Sequence, residues 1–501
     1  MSLLDLFKKK KEILPYEYSK EGERIDYTHL FFSAPNPEIQ RENTMSLNGM
    51  AHVCVSQSEL IPNEFTYIYY IPFPLDSILS TFKRIDFKNS YYHIKYDFNV
   101  NDDFIKEVTN IYFTKLCGSY TIYLNGTKIL SGKNEVNISK DISKIISAGL
   151  NTLILTFKEE RDETIIGPSG PIYMESTPKN YVKDVLIETN IKNETVSFTI
   201  DALSPHGVIT ITTPTASIND YIFDSNKIDI KLDNLILWTP DKPFFYQYTI
   251  KLDEGSDRVR GIFALLEYKI GEVDGINAFI FNGSPLPIKG TLDNYYYSDS
   301  LTLPPTISHL KNLFSEIKTL GFNSVRKSGF IDIKDYYYNG IVKGLLIMQD
   351  INFIDFNDLE NKIEYLKRFQ AVFLVNIIAE NKNINEVELY NYVKSKMPDK
   401  LISISLGGKK SYGDIKVNRE PFLGFNEYNS NKIQDPFITN LKFENKIDGF
   451  KDFMNYKYIP SSMMGMVGFF YSSLNSPTDG IYNPPITKIR TKKIIINEIL
   501  K

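Results

Sequence analysis

The chain has 501 residues, enough for roughly two to four domains. With 42% hydrophobic and 24% charged residues it has the composition of a folded globular protein, not a disordered one. The net charge of −4 contains no long block of one sign, which argues against a nucleic-acid partner.

No apolar run approaches the roughly 18 residues of a transmembrane helix, so no membrane association is expected. The basic run Lys8 to Lys11 follows the short apolar stretch LLDLF, the reverse of a secretory signal, and a cytoplasmic location is expected. Cys54 and Cys117 are too few for a disulfide framework or a cysteine-built metal site. The five histidines are scattered and suggest neither a metal site nor a nucleophilic triad.

Residues 1–44 are polar and weakly patterned and read as a lead-in segment. Over 45–178 the runs YYHIKYDFNV, NIYFTKL, SYTIYLNGTKIL and NTLILTF alternate or stay apolar between turn residues, which predicts a β-sandwich. Asn125-Gly126 supplies the positive φ of a two-residue hairpin turn. Over 179–271 a second set of short strands predicts a small immunoglobulin-like β-sandwich. Trp238 in LWTP reads as a core anchor, because large aromatic side chains bury most of their area.

At 272 the period changes. PTISHLKNLFSEIKTLG places Ile307, Leu310, Phe314, Ile317 and Leu320 on one helical face, with Gly321 as the stop. VELYNYVKSKM and FENKIDGFKDFM read the same way. Between the helices lie the apolar runs PIKGTL, FNSVRK, LLIMQD, AVFLVNIIA, KLISISL, DIKVN, FLGFNEY and MVGFFYSS. Alternating strands and helices predict a parallel sheet with crossover helices. For 272–501 this means a (β/α)8 TIM barrel, short or slightly reduced at about 230 residues against the ~250 typical of the fold. Chemistry on such a barrel sits at the C-terminal ends of the strands, which here carry Asp293, Arg326, Lys327 and Asp350.

Several motifs keep their order and approximate spacing along the chain. They are SLNG at 46–49, IPFPLDSILS at 71–80, YLNG at 123–126, and LWTP followed by Pro243 and Tyr246. FNGSPLPIKG, LDNYYY, GFNSVRK and GLLIMQD follow. By these the chain resembles glycoside hydrolase family 2, the β-galactosidases, β-glucuronidases and their relatives. The resemblance implies a sugar-binding jelly roll over 45–178, an immunoglobulin-like sandwich over 179–271 and a catalytic TIM barrel over 272–501. It also implies a carbohydrate substrate, retaining hydrolysis of a β-glycoside and no cofactor.

Retaining hydrolysis needs a general acid and an ionised nucleophile, two carboxyls roughly 5–5.5 Å apart. The resemblance assigns the first to Glu380, which ends AVFLVNIIAE, and the second to Glu427 in FLGFNEY. Asp293 and Asn294 match positions that bind sugar hydroxyls. Arg326 and Lys327 match residues that orient a nucleophile or bind an acidic sugar, although such cations more often satisfy strand-end carboxylates. Tyr471 stands where the family presents a tryptophan. Other positions depart from the family: Ala379 for asparagine, Val375 for tryptophan, Asn429 for glycine, Ser328 for histidine, Ile341 for aspartate and Phe263 for arginine. These losses support an alternative, a catalytically inactive pseudoenzyme that binds carbohydrate or a protein partner. A transglycosidase is the third reading, and the sequence does not separate it from a hydrolase.

Overall fold

The computed structural model describes residues 22–27, 36–82, 90–160, 165–253, 257–293, 297, 299–328, 330–379, 384–406, 410–422, 437–441 and 466–471. Side chains at 406, 410, 418–422, 437–441, 468, 469 and 471 fall outside that description. The chain divides into two units.

The first unit comprises residues 1–35, 43–176 and 296–307. Its centre is the long hairpin Val108–Leu124 and Thr127–Asp141 in a nine-stranded sheet, antiparallel in every strand pairing. Asn125 and Gly126 take positive φ (50° and 78°) at its tip, as the Asn-Gly signal predicts. Ile111 and Phe113 point inward near the start of the hairpin, Ile122 and Leu124 near its end. These are odd positions followed by even ones. A register shift between Leu116 and Ser119 inserts one residue and so keeps the apolar side chains on the core face. Ser77 Oγ donates to the Asp299 carbonyl at 2.7 Å, and Ser169 bonds Thr302, so the 299–307 stretch is held on this unit.

The second unit comprises residues 36–42, 177–295 and 308–501. A three-stranded sheet (Asp184–Asn190, Thr195–Asp201, Lys227–Lys231) packs on a four-stranded one (Ile218–Phe223, Gly207–Thr212, Tyr246–Leu252, Arg258–Phe263). Val196 and Phe198 of one sheet meet Ile209, Ile250 and Phe263 of the other in a shared core. Trp238 is 0% exposed, and its indole donates to the Ile341 carbonyl at 3.1 Å, the anchor that the sequence predicts. The hairpin Tyr268–Val273 and Ile276–Phe281 carries the chain across the expected boundary at 271/272.

Eight mutually parallel strands follow: β1 Ile288–Asp293, β2 Ser324–Lys327, β3 Leu346–Asn352, β4 Val372–Ala379, β5 Leu401–Leu406, β6 Lys416–Phe422, β7 Phe437–Leu441 and β8 Met466–Tyr471. They lie in the order β5-β4-β3-β2-β1-β8-β7-β6, and the antiparallel strand Lys410–Gly413 is added beyond β5. Apolar runs such as VFLVNIIA in β4 are buried on both faces, as a parallel sheet requires. Gly290 lets β1 close on its neighbours: a Cβ there would lie 2.4 Å from Phe470 Cδ1 and 2.5 Å from Ser324 Oγ.

Helices α1 Ile307–Thr319, α2 Lys334–Val342, α3 Phe356–Leu366 and α4 Glu386–Lys396 connect β1 through β5 in turn. Leu310, Phe314 and Ile317 form the buried face of α1, as the spacing predicts, and Leu313 joins them. These four are the only α-helices among the described residues, so the arrangement is half of the alternation expected for a complete barrel. The expected helix FENKIDGFKDFM lies outside the described residues. The order of the later strands also differs from the sequence reading. KVN of DIKVN and the first residue of FLGFNEY, Phe422, belong to one strand, β6, with a register shift between Asn418 and Pro421. Proline cannot donate to a ladder, so the pairing breaks there without ending. The seventh strand is FITNL at 437–441, whose short run gave no distinct strand signal.

Candidate functional site

The C-terminal ends of the parallel strands hold two layers of buried polar side chains, one on each face of the sheet. Successive strand residues point to opposite faces, so neighbours in sequence part company in space. Arg326 and Lys327, the last two residues of β2, are the clearest case.

Arg326 joins a layer that crosses four strands. It donates Nε to Asp350 Oδ2 at 3.0 Å and Nη2 to Asp350 Oδ1 at 3.1 Å, from β2 to β3. Asn376 on β4 donates Nδ2 to the same Oδ1 at 2.9 Å. Ser405 on β5 donates Oγ to Asn376 Oδ1 at 2.9 Å. All four residues are at most 3% exposed. A bidentate guanidinium–carboxylate pair fixes both planes, and the amide and hydroxyl supply further satisfied contacts that a buried ion pair needs.

Lys327 faces the other way, toward α2. Its Nζ lies 3.4 Å from Asp293 Oδ2 and 3.0 Å from Asp332 Oδ2, with the Phe330 and Tyr336 rings 4.2 Å and 4.7 Å away. Tyr336 on α2 donates its hydroxyl to Asp293 Oδ2 at 2.6 Å, and Tyr337 donates to Gln349 Oε1 at 2.7 Å. Burial alone would push the Lys327 ammonium down, but the Asp293 and Asp332 carboxylates outweigh it and hold it above the usual lysine value. Lys327 therefore stays charged, a structural cation and not a neutral amine.

The expected site residues are distributed as follows. Asp293 ends β1 and is 4% exposed, engaged with Lys327 and Tyr336. Tyr471 ends β8, where its backbone pairs with Thr291 and Leu441. Ala379 is the last described residue of β4 and is buried. Asn294, Glu380 and Glu427 lie outside the described residues. Sequence reasoning missed Asp332, Tyr336, Gln349, Asn376 and Ser405. A signal was present for Asn376 and Ser405: each interrupts an otherwise apolar strand, and a buried polar group needs a partner.

The sequence profile described as "Glycosyl hydrolases family 2" matches residues 175–265. No curated protein matches the sequence. Among solved structures, a beta-glucuronidase from an uncultured Clostridium sp. superposes with a TM-score of 0.68 at 14% identity, covering 86% of this chain and 91% of that one. The beta-D-glucuronidase of Dictyoglomus thermophilum gives 0.67 at 15% identity, covering 85% and 90%. A beta-galacturonidase from Eisenbergiella tayi gives 0.66 at 12%, covering 87% and 89%. At such identities the structural likeness speaks for the fold, and the profile match for the sandwich within it. The profile thus ties residues 175–265 to glycosyl hydrolases family 2, and the structural likeness extends that family's fold to most of the chain.

Proposed function

We propose that the protein is a β-glycosidase of the retaining type, acting through Glu380 and Glu427. One observation carries the reading: the described residues of the fourth parallel strand run to Ala379, and the next residue in the sequence is a glutamate. On this reading residues 272–501 form a reduced TIM barrel, preceded by an immunoglobulin-like and a jelly-roll domain.

Glu427 attacks the anomeric carbon and Glu380 protonates the leaving oxygen; Glu380 then deprotonates the water that releases the sugar. Arg326 braces the pocket floor. Lys327 and Asp293 hold strand ends to α2, and sugar contacts fall to Asn294 and Tyr471. The solved relatives named as glucuronidases and a galacturonidase point to uronides as first substrates, with neutral β-glycosides beside them.

The test is turnover of nitrophenyl β-glucuronide, galacturonide, galactoside and glucoside at high protein concentration, beside Glu427→Gln. Turnover that vanishes in the variant supports the reading; a panel indistinguishable from the variant refutes it. A crystal structure supplies a second check: the Glu380 and Glu427 carboxyls are expected about 5–6 Å apart.

A second reading, a carbohydrate-binding pseudoenzyme, is favoured by Ala379, whose methyl group cannot bond a sugar hydroxyl in the transition state. Sugar binding by calorimetry without turnover would establish it.

A further inference from the structure

We propose that Asn376 is a positioning residue for this site, holding Arg326 in place through Asp350. The inference rests on the glycosidase reading above, and it adds a residue that no motif marks.

The geometry is a relay across four strands. Ser405 donates to the Asn376 carbonyl oxygen, which orients the amide so that Nδ2 aims at Asp350 Oδ1. Asp350 in turn receives two parallel bonds from Arg326. Without Asn376, the Asp350 carboxylate loses its amide donor, and the pair can rotate together. A planar fork passes such a rotation on to the whole guanidinium, which sits at the C-terminal end of β2, where this fold places its chemistry. Catalytic groups must be held within about 0.5 Å, and partners one step removed from a reacting group typically affect function by about 10–100-fold.

Asn376 is an uncommon choice for this place. It stands in VFLVNIIA, a strand whose every residue is buried and whose other seven residues are apolar. A buried amide is retained there with both of its ends bonded. Buried polar networks of this kind specify one arrangement of their members.

The experiment compares wild type with Asn376→Ala, Asn376→Asp and Ser405→Ala on the best nitrophenyl substrate, well below each melting temperature. Asn151→Ala serves as a control: this buried asparagine of the first unit bonds Ser147 and Gly149, and its loss is expected to lower stability and leave kcat unchanged. Asn376→Ala is expected to lower kcat about tenfold or more with KM within about twofold, because a misplaced guanidinium harms the transition state more than binding. Ser405→Ala should show a smaller loss of the same kind.

Asn376→Asp gives the sharper readout. Two carboxyls at hydrogen-bond distance share one proton. At acid pH the new carboxyl donates to Asp350 as the amide does, and activity relative to wild type is restored. As pH rises the shared proton leaves, the two carboxylates repel, and relative kcat falls. Three outcomes decide the matter. Loss of kcat in Asn376→Ala with pH-dependent rescue in Asn376→Asp supports the proposal. A wild-type-like kcat in both, whatever the melting temperature, overturns it and leaves the glycosidase reading standing. A wild type no more active than Glu427→Gln overturns that reading, and this one with it.

Discussion

Lys327 shows what single residues contribute here. It is 0% exposed and flanked by two carboxylates, so its removal strands both charges in a dry site. Lys327→Met is expected to cost about 3–5 kcal/mol at pH 7, measured by urea unfolding. Asp335, in the first turn of α2, behaves oppositely. Burial pushes its carboxyl from the ordinary 3.8 up to about 7, against the pull of its own backbone N–H and of Lys311. The folded state therefore binds a proton that the unfolded state has released, and stability falls as pH rises between about 4 and 7. Asp335→Asn should be more stable than wild type at pH 8, by about 1–3 kcal/mol, and equal to it near pH 4. A thermal melt series over that range checks both the size and the sign.

At the scale of elements, the helices are fixed by their first turns and by what lies behind them. Asn385 caps α4: its Oδ1 accepts from Val387 N at 3.0 Å and Glu388 N at 3.3 Å, while Nδ2 reaches Glu388 Oε1. Asn385→Ala should cost about 1 kcal/mol, read as a shift of the urea midpoint without a change in slope. The C-terminus of α2 is closed differently. The Ile341 carbonyl receives both Gly344 N–H and the Trp238 indole, so a residue of the sandwich loop between Lys227–Lys231 and Tyr246–Leu252 caps a helix about 100 positions later in the chain. Trp238→Phe keeps most of the buried area and loses that bond, at an expected cost of about 1–2 kcal/mol. Trp238 is the sole tryptophan, so wild-type fluorescence follows unfolding of the second unit directly, and the variant is followed by circular dichroism.

For the whole molecule, the decisive comparison is between the two glutamates. An activated aryl leaving group needs little protonation, so Glu380→Gln should spare nitrophenyl substrates more than natural glycosides. On the proposed mechanism, in which Glu427 forms the glycosyl intermediate, Glu427→Gln should abolish turnover of both. With Ala379 in place of an asparagine, the enzyme is expected to be slow: one lost transition-state hydrogen bond is worth roughly 2–4 kcal/mol, or 10²–10³ in rate. Steady-state kinetics of the three proteins on an aryl and an alkyl glycoside settles the roles. Equal sensitivity of both substrates to Glu380→Gln would remove the acid from the scheme.

The sequence by itself determined what is local and periodic. The Asn125-Gly126 turn, the buried stripe of α1 and the burial of Trp238 all follow from spacing and side-chain size, and the structure agrees. Alternation also located the strand ends Asp293, Arg326 and Lys327. What only the tertiary structure decided is partnership. Arg326 and Lys327 are adjacent in sequence, yet one enters an Arg326–Asp350–Asn376–Ser405 layer and the other an Asp293–Lys327–Asp332 cluster against α2. The partner of each comes from strands and helices whose positions depend on long-range pairing, which no window of sequence contains. The same reason hid FITNL as the seventh strand. Five residues carry too little pattern alone, and their place is set by ladders to β6 and β8.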